Sequence, residues 1–157
     1  MALHLEGKLR APIVAWLATM EMTPVFEVCH AWGLCDVVGV KWFPRISRRR
    51  PLIEKLIYVE LKLDDVAGVL RQGKNNRFAA HLSYCAMPVD RIQKMRESTR
   101  QLFLTQGVGL LSCSTETVRV VVPAEENVLA HPQSKLNTLW RRRVEWRSRM
   151  GAANEAH

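Results

Sequence analysis

The chain has 157 residues, of which 48% are hydrophobic and 24% are charged, so one compact domain is expected and wholesale disorder is excluded. Its formal net charge of +8 favours a polyanionic partner, because clustered Lys and Arg release counterions from a phosphate backbone. The N-terminus lacks the pattern of a signal peptide, and no later segment reaches about 18 uncharged apolar residues. We therefore predict an intracellular, cytoplasmic protein that has no membrane partner.

The cysteines are widely spaced and lie among apolar residues, which predicts buried thiols in a reducing compartment rather than a disulfide framework. Two of them lie close to His30 and invite comparison with a zinc site, but the sequence has no CxxC pair, so we do not expect zinc. The four are Cys29, Cys35, Cys85 and Cys113.

The first half of the chain predicts one helix and three strands. Apolar residues at helical spacing run from Pro12 to Met20, with the proline in the tolerated first turn. Segments 25–31, 36–43 and 56–63 are rich in β-branched and apolar residues, which is typical of strands. Between the second and third strands, residues 44–51 contain two prolines and three consecutive arginines, which predicts a solvated loop.

The second half alternates helices with strands. Asp64 and Asp65 offer an N-cap for a helix that runs to about Lys74, and Asp90 is predicted to cap a later helix. A strand is predicted between these helices at 79–87, and a hairpin follows at 107–113 and 117–122. The pattern predicts an α/β fold in which helices flank a mixed central sheet. We place the main domain at residues 1–124 and a basic C-terminal helix or tail at 125–157, with the helix over 134–150.

A carboxylate pair and a lysine are the strongest candidates for chemistry. Asp36 is predicted at the start of one strand, and Glu60 and Lys62 lie two residues apart on the next, where they project from one face of the sheet. Two carboxylates on neighbouring strands suit Mg²⁺, which prefers oxygen ligands, and the carbonyl of Leu61 is well placed to be another. A lysine beside them can orient water and offset charge that develops on a phosphate.

The pattern resembles the PD-(D/E)XK nuclease superfamily, which includes restriction enzymes and Holliday-junction resolvases. Asp36 precedes the apolar run Val-Val-Gly-Val, and the apolar Ile-Tyr-Val leads into Glu60-Leu61-Lys62. Cys35 replaces the proline of the family name, and the likeness extends over residues 25–123. The resemblance implies a restriction-endonuclease-like core, a Mg²⁺ cofactor that Mn²⁺ can replace, hydrolysis of phosphodiester bonds in DNA, and products with 5′-phosphate ends.

Two further residues match accessory positions of small bacterial and phage members of that superfamily. Glu27 matches a third acid that precedes the aspartate, and Gln72 matches a glutamine on the helix after the lysine. The resemblance gives both residues supporting roles in catalysis. The alternative is that Glu27 faces outward from an ordinary strand and that Gln72 is simply exposed to solvent.

The basic residues form three groups that we predict to contact nucleic acid. The first lies on the loop between the two strands of the site, the second on the helix that follows, and the third in the basic tail. In order they are Arg45, Arg48, Arg49 and Arg50; Arg71 and Lys74; and Arg141, Arg142 and Arg143.

The sequence leaves alternatives open within and beyond the nuclease hypothesis. No separate specificity domain is visible, which favours structure-selective or weakly specific cutting, and RNA as the substrate and a homodimeric assembly both stay possible. The first rival is a non-catalytic nucleic-acid-binding protein on the same fold. The second is a phage-type inhibitor or adaptor whose basic surface serves a protein partner.

Overall fold

The chain folds as a six-stranded mixed sheet flanked by helices, in a computed structural model that describes residues 2–30, 33–43 and 53–128. The predicted α/β class is therefore confirmed, and within the described residues the helices and strands follow the predicted order, except that one predicted helix is divided in two. The elements are α1 (Ala2–Ala18), β1 (Thr23–His30), β2 (Gly33–Trp42), β3 (Ile53–Leu61), α2 (Val66–Asn76), β4 (Leu82–Pro88), α3 (Val89–Gln93), α4 (Glu97–Thr105), β5 (Gly109–Cys113) and β6 (Val118–Val122).

The strands lie side by side in the same order as in the chain. β1, β2 and β3 form an antiparallel meander, β4 runs parallel to β3, β5 runs parallel to β4, and β6 closes a hairpin with β5. Parallel neighbours need a crossover connection, which α2 supplies between β3 and β4 and α3 with α4 supply between β4 and β5. This arrangement puts β2 and β3, the strands of the candidate site, in the interior of the sheet.

The two faces of the sheet are covered by different helices. Ile13 and Leu17 of α1 pack against Val59 and its neighbours on one face, whereas Val69 of α2 packs with Cys85 in a cluster on the other. Successive residues of a strand point to opposite faces. Since Val59 faces α1, the side chain of Glu60 projects toward α2.

Helix α2 lies close to the sheet because glycine occupies its contact point. The Asp65 carboxylate caps the helix by accepting a hydrogen bond from the Gly68 backbone N–H at 2.8 Å, as predicted. At Gly73, a Cβ atom would lie 2.7 Å from the Cys85 sulfur and 2.8 Å from a methyl carbon of Val108. Gly73 therefore sets the distance between α2 and β4.

We expect Gly73→Ala to destabilise the fold by roughly 1–3 kcal/mol, because the added methyl group forces α2 away from buried neighbours. Chemical denaturation measures the change. Gly7→Ala on α1 is the matched control, since a Cβ there meets nothing within 4 Å, and alanine is the better helix former. Equal or greater stability of Gly73→Ala would contradict this account of the α2 packing.

Two predicted helix boundaries are wrong. Pro12 lies inside the 17-residue helix α1 instead of in its first turn, so α1 lacks one backbone hydrogen bond there and relies on its apolar face for stability. Asp90 lies in the first turn of α3, whose N-cap is Pro88. The single helix predicted after it is divided, because the extended backbone of Arg96 separates α3 from α4.

The thiols that the structure describes are buried and free, as predicted for Cys35, Cys85 and Cys113. Burial raises the pKa of each of these thiols, which keeps them protonated and poorly nucleophilic. Within the described ranges, no helix is long and apolar enough to cross a membrane.

Candidate metal centre

Asp36 and Glu60 lie beside each other on neighbouring strands. The pairing of β2 with β3 ends at Val37 and Val59, the residues next to these two acids, and the negative charge of Asp36 acts on Glu60. One oxygen of Asp36, Oδ2, accepts a hydrogen bond from the backbone N–H of Leu61 at 2.8 Å. The predicted carboxylate pair therefore exists, with Asp36 tied to the residue that separates Glu60 from Lys62.

Glu60 is almost fully buried, with 1% of its surface exposed. Burial, together with the negative charge of Asp36, raises the pKa of Glu60 to about 7, against the opposing effects of Asn76 and Lys62. Among the described residues, no group donates a hydrogen bond to its second oxygen, Oε2. A buried oxygen without a partner beside a second carboxylate is a costly arrangement that a bound cation would relieve.

Lys62 stands just past the end of β3, two residues beyond Glu60. Its backbone N–H donates to the Ala86 carbonyl at 3.1 Å, which fixes this end of β3 against β4. Its side chain is partly exposed, and its positive charge opposes the rise in the pKa of Glu60. Asp36, Glu60 and Lys62 thus lie close together, and the Leu61 N–H is bound to Asp36.

Asn76, which the sequence reading missed, is the amide that supports this site. Its Nδ2 donates to Glu60 Oε1 at 2.6 Å, and both side chains are buried. Val69, Gly73 and Asn76 form the buried face of α2, a helical spacing that identifies position 76 in retrospect. The sequence predicts that this helix runs to about Lys74, whereas α2 extends two residues further and ends at Asn76.

Gln72 has the supporting role in the sequence-based hypothesis, but its position differs from that of Asn76. It lies on α2 between the buried face and the exposed residues Arg71 and Lys74. Within the described part of the chain, Asn76 and not Gln72 is the residue of α2 whose side chain donates a hydrogen bond to Glu60. The amide at the site is thus located one helical turn later than predicted.

We expect Asn76→Ala to destabilise the fold by about 1–3 kcal/mol, because it leaves the other oxygen of Glu60 buried without its donor. Gln72→Ala is the matched control on the same helix, and its free energy of unfolding should stay within about 0.5 kcal/mol of that of the wild type. Denaturation in urea gives both values. Equal losses in the two variants would remove Asn76 from the site.

Glu27 is near Asp36 along the sheet but binds an arginine of α1. Phe26 pairs with Val37 and Val28 with Cys35, so Glu27 stands opposite Asp36. Its backbone has a φ of +52°, in the left-handed region that non-glycine residues seldom adopt. Its half-exposed carboxylate accepts a hydrogen bond from Arg10 at 3.0 Å. The structure therefore places Glu27 beside the site, where its carboxylate forms an ion pair with Arg10.

The donor set suits a cation that keeps several ligands of its own. In residues 2–30, 33–43 and 53–128, no three His, Cys, Asp or Glu side chains converge on one point. Two carboxylates are nevertheless enough for Mg²⁺, which usually retains water and takes its remaining ligands from substrate phosphates. Asp36 and Glu60 are the side chains that would hold such an ion.

The predicted nucleic-acid contacts divide into those that the structure describes and those that it does not. Arg71 and Lys74 are exposed on α2 and line a groove. The loop at 44–51 and the basic C-terminal helix lie outside the described residues, together with their arginines. Residues 125–128 are bound to the main domain, since the Glu125 N–H donates to Gly107 and the Asn127 N–H donates to His81.

Comparison with known proteins defines the fold and leaves function open. The sequence matches no protein-family model. It also matches no curated protein. A protein of unknown function from Silicibacter pomeroyi has a similar structure, with a TM-score of 0.61 and 16% identity over 95% of this chain and 92% of that one. The similarity shows that the α/β fold described here occurs in a solved structure.

Proposed function

We propose that this chain is a metal-dependent endonuclease with a restriction-endonuclease-like core, and that it hydrolyses phosphodiester bonds in DNA. The element order supports this proposal, because the aspartate lies on the second strand and the Glu-Leu-Lys tripeptide lies on and just after the third. These are neighbouring strands in the interior of the sheet, as the resemblance to PD-(D/E)XK nucleases implies.

The observation that carries the proposal is the pairing of the buried Glu60 with Asp36, which is partly exposed. Two carboxylates that share a site repel each other when both are ionised, and burial adds to the cost. Glu60 also has one oxygen for which no described residue donates a hydrogen bond. A divalent cation between the two side chains would remove the repulsion and supply the missing partner. Lys62 beside them distinguishes this arrangement from a plain cation-binding site.

Each residue then has a defined role. Asp36 and Glu60 hold Mg²⁺, or Mn²⁺ in its place, and the Leu61 carbonyl is a further candidate ligand. When bound, the ion supplies positive charge that stabilises the phosphoryl oxygens as negative charge develops on them. Lys62 orients the attacking water and neutralises part of that charge, and Asn76 holds Glu60 in position.

The direct test is cleavage by the purified protein. Supercoiled, linear, single-stranded and branched DNA are each incubated with Mg²⁺, with Mn²⁺ or with EDTA. We expect cleavage that requires a metal ion and that depends on the form of the DNA more than on its base sequence. Absence of cleavage on all four substrates in both metals would overturn the proposal.

A catalytically silent nucleic-acid-binding protein is the second candidate, and one observation favours it. Glu60 is only 1% exposed, and its pKa of about 7 leaves it partly protonated at neutral pH. A protonated, enclosed glutamate would serve the fold rather than a metal. This candidate predicts salt-sensitive DNA binding that is the same with and without Mg²⁺, and no strand cleavage.

A further inference from the structure

A groove between α2 and the α3–α4 segment combines a basic rim with an apolar floor. It has a volume of about 700 Å³ and is open to solvent. Helix α2 supplies one wall through Leu70 and Arg71, and Met95 and Leu102 lie on the other side. No acidic residue is among the described residues that line it.

The rim carries five positive charges, and most of them have no acidic partner. Arg91 pairs with Asp64 at 2.6 Å. For the other four, the described part of the chain provides no ion pair. They are Arg71, Lys74, Lys94 and Arg96. Unpaired cations around one groove repel each other, so an anionic ligand would be attracted by all of them at once.

The floor of the groove is aliphatic. Val66, Leu70 and Met95 are partly exposed, and Leu102 is 52% exposed although leucine gains by burial. The described lining contains no Phe, Tyr or Trp. Stacked nucleic-acid bases prefer aromatic platforms, so this floor fits an aliphatic surface better than it fits a single strand of nucleic acid.

The C-terminal segment of the chain does not complement the charge of the groove. Residues 129–157 contain six Lys or Arg and two Glu, so their net charge has the same sign as that of the groove. An external protein segment with the opposite charge is a better match. A helix with apolar residues at helical spacing and acidic residues beside them presents an apolar stripe to the floor and carboxylates to the rim.

We propose that the groove lined by α2, α3 and α4 is a docking site for an acidic amphipathic helix of a protein partner. Arg71 and Lys74, which the sequence analysis assigned to nucleic acid, bind the partner's carboxylates together with Lys94 and Arg96. The aliphatic floor receives its apolar side chains. The site is separate from the Asp36–Glu60 pair, so it exists whether or not the chain cleaves DNA.

A labelled peptide tests the proposal in the full chain. The peptide has about 16 residues, with leucines on one helical face and glutamates elsewhere, and its binding is followed by fluorescence anisotropy. A control peptide has the same composition with the leucines spread around the helix. We expect the first peptide to bind at least about tenfold more tightly than the control.

Variants of exposed residues identify the site without threatening the fold. The double variant Arg71→Glu with Lys94→Glu should weaken binding by roughly tenfold or more, because two attractive contacts become repulsive. Leu102→Ser should weaken it without changing the charge. Arg119→Glu, an exposed reversal on β6 outside the groove, is the matched control and should change affinity less than about twofold.

Three results would overturn the proposal. The first is equal binding of the two peptides, and the second is an affinity that Arg71→Glu with Lys94→Glu leaves unchanged. The third is a protein that does not bind the amphipathic peptide but binds a single-stranded DNA oligonucleotide, with the DNA binding lost in that double variant. That third result would assign the groove to nucleic acid.

Discussion

Replacing Asp36 by asparagine should lower the rate of metal-dependent DNA cleavage by roughly 100-fold or more. The substitution keeps an oxygen that can accept the hydrogen bond from the Leu61 N–H, but it removes the negative charge that would hold a divalent cation. Lys62→Ala should lower the rate by a similar factor, because the charge that offsets the phosphoryl oxygens is lost. Initial rates on the best substrate from the four DNA forms measure both effects.

Two variants on β3, the strand that carries Glu60, are the controls for this prediction. Glu54→Gln removes an acid and Lys55→Ala removes a lysine from β3, at partly exposed positions that pair with Lys41 and Glu126. Both should cleave DNA at close to the wild-type rate. If Asp36→Asn also cut DNA at that rate while remaining folded, the activity would belong to another site or to a contaminating nuclease.

The stability of the metal-free protein should depend on pH through Glu60. Its pKa rises from 4.5 to about 7 in the folded state, chiefly because of burial. The folded chain therefore binds more protons than the unfolded chain between these values, so stability falls as the pH rises through this window. The loss should be on the order of 2–3 kcal/mol between about pH 5 and about pH 8.

Glu60→Gln should remove this loss, because glutamine stays neutral and its carbonyl can still accept from Asn76. In EDTA at about pH 8 the variant should thus be more stable than the wild type, by an amount that shrinks toward about pH 5. Mg²⁺ should stabilise the wild type at the higher pH and leave Glu60→Gln unchanged. If the free energies of unfolding of the two proteins changed with pH in the same way, the pKa of Glu60 would not be raised in the folded state.

The interior strands and their site residues were predictable because their signals are local. Asp36 stands before four apolar residues, and Glu60 interrupts an apolar strand where a charge needs a reason. The period of two in a strand then fixes which side chains share a face. These signals required no knowledge of long-range packing, and the structure places the two acids on adjacent strands.

The parts that sequence reasoning missed depend on tertiary contacts. Asn76 is the last residue of α2, and its amide reaches Glu60 on β3 because α2 packs against that face of the sheet. Pro12 appeared to start α1, but packing of the apolar face sustains the helix on both sides of the proline. Glu27 matched an accessory acid by sequence, and only the structure shows that Arg10 engages it.

Binding of Mn²⁺ to the wild type, Asp36→Asn and Glu60→Gln is the measurement that tests the proposed metal centre most directly. Electron paramagnetic resonance of free Mn²⁺ gives the bound fraction without any need for a substrate, and competition with Mg²⁺ shows whether the two ions share the site. We predict one Mn²⁺ bound by the wild type at about pH 8, displaced by Mg²⁺, with affinity at least about tenfold weaker in either variant. Equal Mn²⁺ binding by all three proteins, or none by the wild type, would contradict the proposal that Asp36 and Glu60 form a metal centre.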